Sequence, residues 1–151
     1  YTIGMGSVST MGTNIVAYKN NKLDPITQFT HITNLASVPG IIVVNKNFPQ
    51  KDYKSLVAEL KANPGKYSYA SSGAGGVGHL AMELFLVETG TEAQHIAYKG
   101  AGPAVTDVLA GNVPIMWDNL TSSLAQIKSG NFIPIGLAFP KRTCQLSLNW
   151  A

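Results

Sequence analysis

Short β-branched or apolar runs alternate along this chain with segments whose apolar residues recur at helical spacing, and Gly, Pro or small polar residues mark each change. Ile41-Ile42-Val43-Val44 is continuous and β-branched, the pattern of a strand buried on both faces. Over 52–61, Tyr53, Leu56, Val57 and Leu60 fall at i, i+3, i+4 and i+7, and Asn63-Pro64-Gly65 stops the helix they predict. A strand over 66–71, a glycine-rich loop and a helix over 79–88 follow. That helix carries Leu80, Leu84 and Val87 along one side and ends at Gly90, a suitable C-cap. The rhythm then repeats with a strand over 95–98, the loop Lys99-Gly100-Ala101-Gly102 and a helix over 103–110 opened by Pro103. A strand over 113–117 leads through Asp118-Asn119-Leu120 to a helix over 121–129 ended by Gly130, and a last strand over 133–139 is weakened by Pro134. Before Ile41 the pattern is less regular, with a strand over 1–5 and a polar loop over 6–13. Such alternation predicts an α/β fold with a mainly parallel sheet flanked by helices. Pro39-Gly40 and the stretch 130–134 are the places best suited to a crossing between two lobes.

In open α/β sheets, ligands sit beyond the carboxyl ends of the strands, where the next helices point their N-termini. Three successive junctions send polar residues to that end. Ser71-Ser72-Gly73-Ala74-Gly75-Gly76-Val77-Gly78 offers hydroxyls and backbone amides on residues with little side chain, a setting that favours an anion. Tyr98-Lys99-Gly100 adds a phenol, an ammonium and a flexible backbone, and the third junction adds Asp118 and Asn119. Each feature also has a plainer use. Glycines at a βα turn permit close packing of helix on strand, His79 can be satisfied locally at a helix start, Lys99 can be a solvated charge, and Asp118 can cap the helix after Asn119. Trp117 and Phe139 read as core.

Composition narrows the classes of partner. The 151 residues are 45% hydrophobic and only 13% charged, enough for a real core and unlike a disordered chain. The net charge of +3 is spread along the chain, which suits small anions better than a nucleic-acid backbone. Cys144 is the single cysteine, so an internal disulfide and a cysteine-type zinc cluster are excluded. No apolar run approaches the roughly 20 residues of a membrane helix. No cofactor or metal site is expected.

Two enzyme-like readings compete at the glycine loop. Gly73-Ala74-Gly75-Gly76-Val77-Gly78 matches the dinucleotide fingerprint G-x-G-x-x-G, but the next strand ends in Lys99 where an acidic residue should hold the ribose. A serine hydrolase could use Ser72 or Ser71 with His79 or His95 as base. Against it, the glycines do not form the Gly-x-Ser-x-Gly elbow, and no carboxylate is placed by sequence to orient a histidine.

The succession Phe29-Thr30-His31-Ile32, Ile42-Val43-Val44-Asn45, Lys61-Ala62-Asn63-Pro64-Gly65-Lys66, Ser71-Ser72-Gly73, His79-Leu80, Tyr98-Lys99-Gly100, Asp118-Asn119-Leu120 and Ile127-Lys128-Ser129-Gly130 resembles the receptors of tripartite tricarboxylate transporters, the Bug family. The resemblance runs from Tyr1 to Arg142. It implies a periplasmic protein of the type II binding-protein fold, with two α/β lobes joined by crossing strands, that captures a small carboxylate and hands it to membrane permease subunits without catalysis. Di- and tricarboxylates, acidic amino acids and aromatic acids are the family's ligands. Carried onto this chain, the contacts are Ser71, Ser72, Gly73, Ala74, Gly75, His79, Tyr98, Lys99, Gly100 and Asp118 from the second lobe, and Ser7, Ser9 and Thr10 from the first. Met11 stands where many relatives have histidine. Family members are about twice as long, so the expected division is 1–43 as part of the first lobe, 44–132 as a complete second lobe, and 133–151 as a return strand with an atypical tail.

Overall fold

The computed structural model describes residues 2–138. Phe139, Cys144 and the tail over 143–151 lie outside the described residues. After a π-turn, Ser9–Thr13, and the short α1 (Asn14–Ala17), the chain forms β1 (Gly40–Asn45), α2 (Tyr53–Ala62), β2 (Ser68–Ser71), α3 (Val77–Thr89), β3 (Gln94–Ala97), α4 (Ala101–Ala110), β4 (Ile115–Asn119), α5 (Leu120–Lys128) and β5 (Phe132–Ala138). The strands make one sheet in the order β3-β2-β4-β1-β5.

β1 supplies residues to both layers. Ile41 and Val43 point to one face, where Ala104, Val108, Leu120 and Ile127 of α4 and α5 cover them. Ile42 and Val44 point to the other, under Leu56 and Leu60 of α2 and Met82 and Leu86 of α3. A strand whose alternate residues enter two separate cores has no polar face, which is why its sequence reads as a continuous β-branched run. Each fully buried aliphatic side chain contributes about 1.5–3 kcal/mol, so β1 anchors the whole stack.

The polarity of the sheet is mainly but not wholly parallel. β2 pairs parallel with β3 and with β4, whereas β1 runs antiparallel to both β4 and β5. Pro134 sits in β5, an edge strand, beside a register irregularity opposite Ile42 and Val43, where a missing amide is tolerated.

Several expectations are corrected. Residues 2–5 form no strand; Ile3 and Met5 are exposed, and no sheet edge among the described residues pairs with them. The two stretches expected to carry crossings, Pro39-Gly40 and 130–134, stand at opposite ends of the sheet. Asn45 pairs with Phe132, but Gly40 pairs with Ala138, so the end of β5 beside Pro39-Gly40 is Ala138. The boundaries at 43/44 and 132/133 fall within β1 and at the first residue of β5, and the sheet continues across both. On α3 the stripe of Leu80, Leu84 and Val87 is exposed, while Met82 and Leu86 are buried. A helix apolar on several sides gives a weak periodic signal, and the sheet decides which side is covered.

Asn45 ties the layers together where β1 ends. Its buried side-chain amide donates to the carbonyls of Val108, at 2.6 Å, and Leu109, at 3.2 Å, in the last turn of α4, and its oxygen accepts from the Asn47 amide. Asn45→Ala would take this donor from the Leu109 carbonyl and leave the Val108 carbonyl with the Gly111 amide alone. The expected cost is about 1–3 kcal/mol in urea melts at an unchanged m-value.

Candidate functional site

Because β2, β3 and β4 are parallel neighbours, their carboxyl ends lie together, and α3, α4 and α5 begin there. Antiparallel β1 brings its first residue to the same place: Gly40 pairs with Asn119, and the Leu120 amide donates to the Pro39 carbonyl at 3.0 Å. The three expected loops therefore do converge.

The first two are stitched to each other. The Tyr98 amide donates to the Ser71 carbonyl and the Gly100 amide to the Ser72 carbonyl, each at 3.0 Å. Gly75 and Gly100 adopt φ values of +71° and +103°, where a β-carbon is strained. Gly78, in the first turn of α3, lies against Trp117; a β-carbon there would come within 3.2 Å of the indole and 3.3 Å of the Trp117 carbonyl. The glycines thus serve both tight helix packing and an open loop.

The side chains divide into those facing outward and those used internally. Ser72, Ala74 and Lys99 are exposed, and Gly73, Gly75 and Gly100 are half-buried. Ser71 is fully buried. Its hydroxyl lies 2.7 Å from His95 Nε2, donates to the Gly73 carbonyl and accepts from the Gly73 amide, so it braces the loop from beneath. The Tyr98 hydroxyl donates to Asp107 of α4; burial first, then this bond, pushes the phenol up to about 12, and it stays a protonated donor. Asp118 is only 4% exposed and accepts from the hydroxyls of Ser122, at 2.7 Å, and Ser123, at 2.6 Å. It lies within β4 and organises the first turn of α5 in place of a side-chain cap from Asn119.

The amino-terminal segment covers this end. Ser9 Oγ accepts from the Val77 amide, the first of α3, at 3.3 Å, and the Tyr18 hydroxyl donates to the Ala74 carbonyl at 2.7 Å. Ser9 therefore caps a helix whose own N-cap, Gly76, has no side chain to do so. Ser7 and Thr10 are exposed and bond to each other through hydroxyls and amides. Tyr18 was not anticipated, since a contact spanning 56 positions leaves no local sequence signal.

The hydrolase arrangement does not assemble. The serine paired with a histidine is Ser71 with His95, and complete burial closes Ser71 to substrate. His79 is engaged by the Gly75 amide at 3.1 Å through Nδ1, and its Nε2 lies 3.8 Å from Glu83. The dinucleotide reading lacks its acid as before, with exposed Lys99 beyond β3.

A helix-flanked, mainly parallel sheet with three strand-to-helix junctions and a covering segment at one end is part of a periplasmic-binding-protein fold. The chain belongs to the tripartite tricarboxylate transporter receptor family, whose model matches residues 1–147. It is 34% identical over 112 residues to protein BugT of Bordetella pertussis, covering 74% of this chain and 34% of BugT. Among solved structures, one described as a periplasmic transporter is 44% identical with a TM-score of 0.89, covering 93% of this chain and 47% of that one. An R. palustris protein with adipate is 32% identical with a TM-score of 0.86, covering 91% and 46%. The chain thus spans about a third of the curated relative and just under half of these structures.

Two outcomes follow from the site's geometry. Gly78→Ala is expected to destabilise by about 1–3 kcal/mol because the Trp117 backbone cannot yield. Gly102→Ala, in open space within α4, is expected to be neutral or stabilising by about 0.4–1 kcal/mol; paired thermal melts test the contrast. His95 is held below the ordinary value of 6.5, by burial first and then by the adjacent His79, with Glu83 opposing. The unfolded chain then takes up a proton that the native chain refuses. The associated stability is complete above the ordinary value and is lost as pH falls through it toward the lower native value. Urea melts from about pH 8 to about pH 5 should show this loss, and His95→Gln should flatten it.

Proposed function

We propose that this chain is part of an extracytoplasmic solute-binding receptor that captures a small carboxylate for the permease subunits of a tripartite tricarboxylate-type transporter, in the periplasm and without catalysis. The observation that carries the proposal is the convergence of three helix N-termini at one end of the sheet, beside the exposed Ser72 and Lys99 and beneath Ser9. Backbone amides, a hydroxyl, an ammonium and aligned helix dipoles together favour a carboxylate. The adipate held by the R. palustris relative supports the same chemistry. The second lobe, expected over 44–132, would take in β1 and β5 whole, since both belong to its sheet, with the segment before Gly40 belonging to the first. Ser72, Gly73, Ala74, Gly75, Lys99 and Gly100 would face the ligand from the second lobe, and Ser7, Ser9 and Thr10 from the first. Ser71, His79, Tyr98 and Asp118 would support the site from behind.

Isothermal titration with succinate, malate, adipate, glutamate and benzoate tests the proposal. Saturable binding of at least one is expected, and Ser72→Ala should weaken it about tenfold or more through loss of one hydrogen bond to a charged group. Absence of binding across the panel, together with Ser72-dependent turnover of an ester, would overturn it.

A further inference from the structure

Behind the glycine loop stands a column of rings. Tyr69 of β2 stacks on His95 of β3 with centroids 5.0 Å apart, and His95 stacks on His79 of α3 at 3.9 Å with the planes only 12° apart. The column is pinned at its edges. The Tyr69 hydroxyl donates to Glu83, Ser71 Oγ meets His95 Nε2, and His79 Nδ1 accepts from the Gly75 amide.

That last bond has a recognisable logic. Gly76 is the N-cap of α3, so His79 is its third helical residue and Gly75 the residue just before the cap. In a capping box, a Glu or Gln at the third position reaches back to the N-cap amide. Here an imidazole reaches one residue further, to an amide on a glycine held at φ +71°. The contact exists only while Nδ1 carries no proton, which leaves the ring proton on Nε2, the nitrogen 3.8 Å from Glu83.

We propose that His79 is a positioning residue: with Nδ1 unprotonated it turns the Gly75 amide inward and so fixes which amides of the loop remain for a ligand. Only its effect on affinity rests on the carboxylate-receptor reading; the loop geometry stands apart from it. The titratable groups facing the ring are Glu83 on its own helix and His95 on β3, with Tyr69 of β2 joined to Glu83.

The test uses the labelled chain without ligand, then with ligand. Ring nitrogen shifts are expected to show the Nε2-protonated tautomer of His79, and hydrogen exchange to show a protected Gly75 amide. His79→Phe keeps a stacking ring but no acceptor, and should lower Gly75 protection about tenfold or more. His79→Asn supplies an oxygen near the place of Nδ1, and should keep the protection. In titrations with adipate and malate, the Phe variant should bind about tenfold more weakly and the Asn variant within about twofold of the parent. An Nδ1-protonated tautomer, or full Gly75 protection in a folded Phe variant, would overturn the inference. If the parent binds no carboxylate, the receptor reading fails, while the exchange experiment still decides the role of His79.

Discussion

The parallel pairing of β2 with both β3 and β4 is the constraint on which the site depends. Parallel neighbours need crossover connections, and the crossovers here are helices, so every one of these strands ends where a helix begins. Three such ends side by side bring three sets of amides without a partner inside their own helix, and three positive dipole ends, to one edge of the sheet. If β2 ran the other way, the glycine loop would open on the opposite edge and the stitching of Gly100 to Ser72 could not form. The antiparallel β1 completes the arrangement, because reversing its direction brings Gly40, and beside it Ala138, to the same edge.

That edge shows a division of labour. Small and flexible residues form the surface, while the residues with strong chemistry are engaged beneath it. Ser71, His95, Tyr98 and Asp118 all spend hydrogen-bonding capacity on the protein itself. A receptor whose ligand is held by backbone amides requires those amides to point in fixed directions before the ligand arrives, since ordering them afterwards would weaken binding. Buried and mutually satisfied polar groups behind a glycine loop provide that rigidity. The Ser71–His95 pair is part of that buried support.

Contacts from the amino-terminal segment add a second constraint. α3 begins at a glycine that cannot cap it, and Ser9 supplies the missing acceptor from far along the chain. Tyr18 anchors the segment to Ala74. A glycine loop with few side chains thus draws its capping from another part of the molecule.

Much of the fold was legible in the sequence because burial and turns act locally. The β-branched run 41–44 had to be a strand buried on both faces, Asp52 and Asn63 bounded α2, and Gly90 ended α3 in the left-handed conformation. The succession of motifs around Ser71, Tyr98 and Asp118 also carried the family. What the sequence could not decide were properties that depend on partners distant along the chain. The direction of β1, the end at which β5 stands beside Gly40, and the covered side of α3 follow from which strands and helices meet. So does the use of each polar side chain. Ser71 and Ser72 are adjacent in sequence, but alternation along β2 sends one into the His95 column and leaves the next exposed on the loop. Residue types alone could nominate a carboxylate site. Only the packing of strand against strand separated the groups left exposed at that edge from those that brace them.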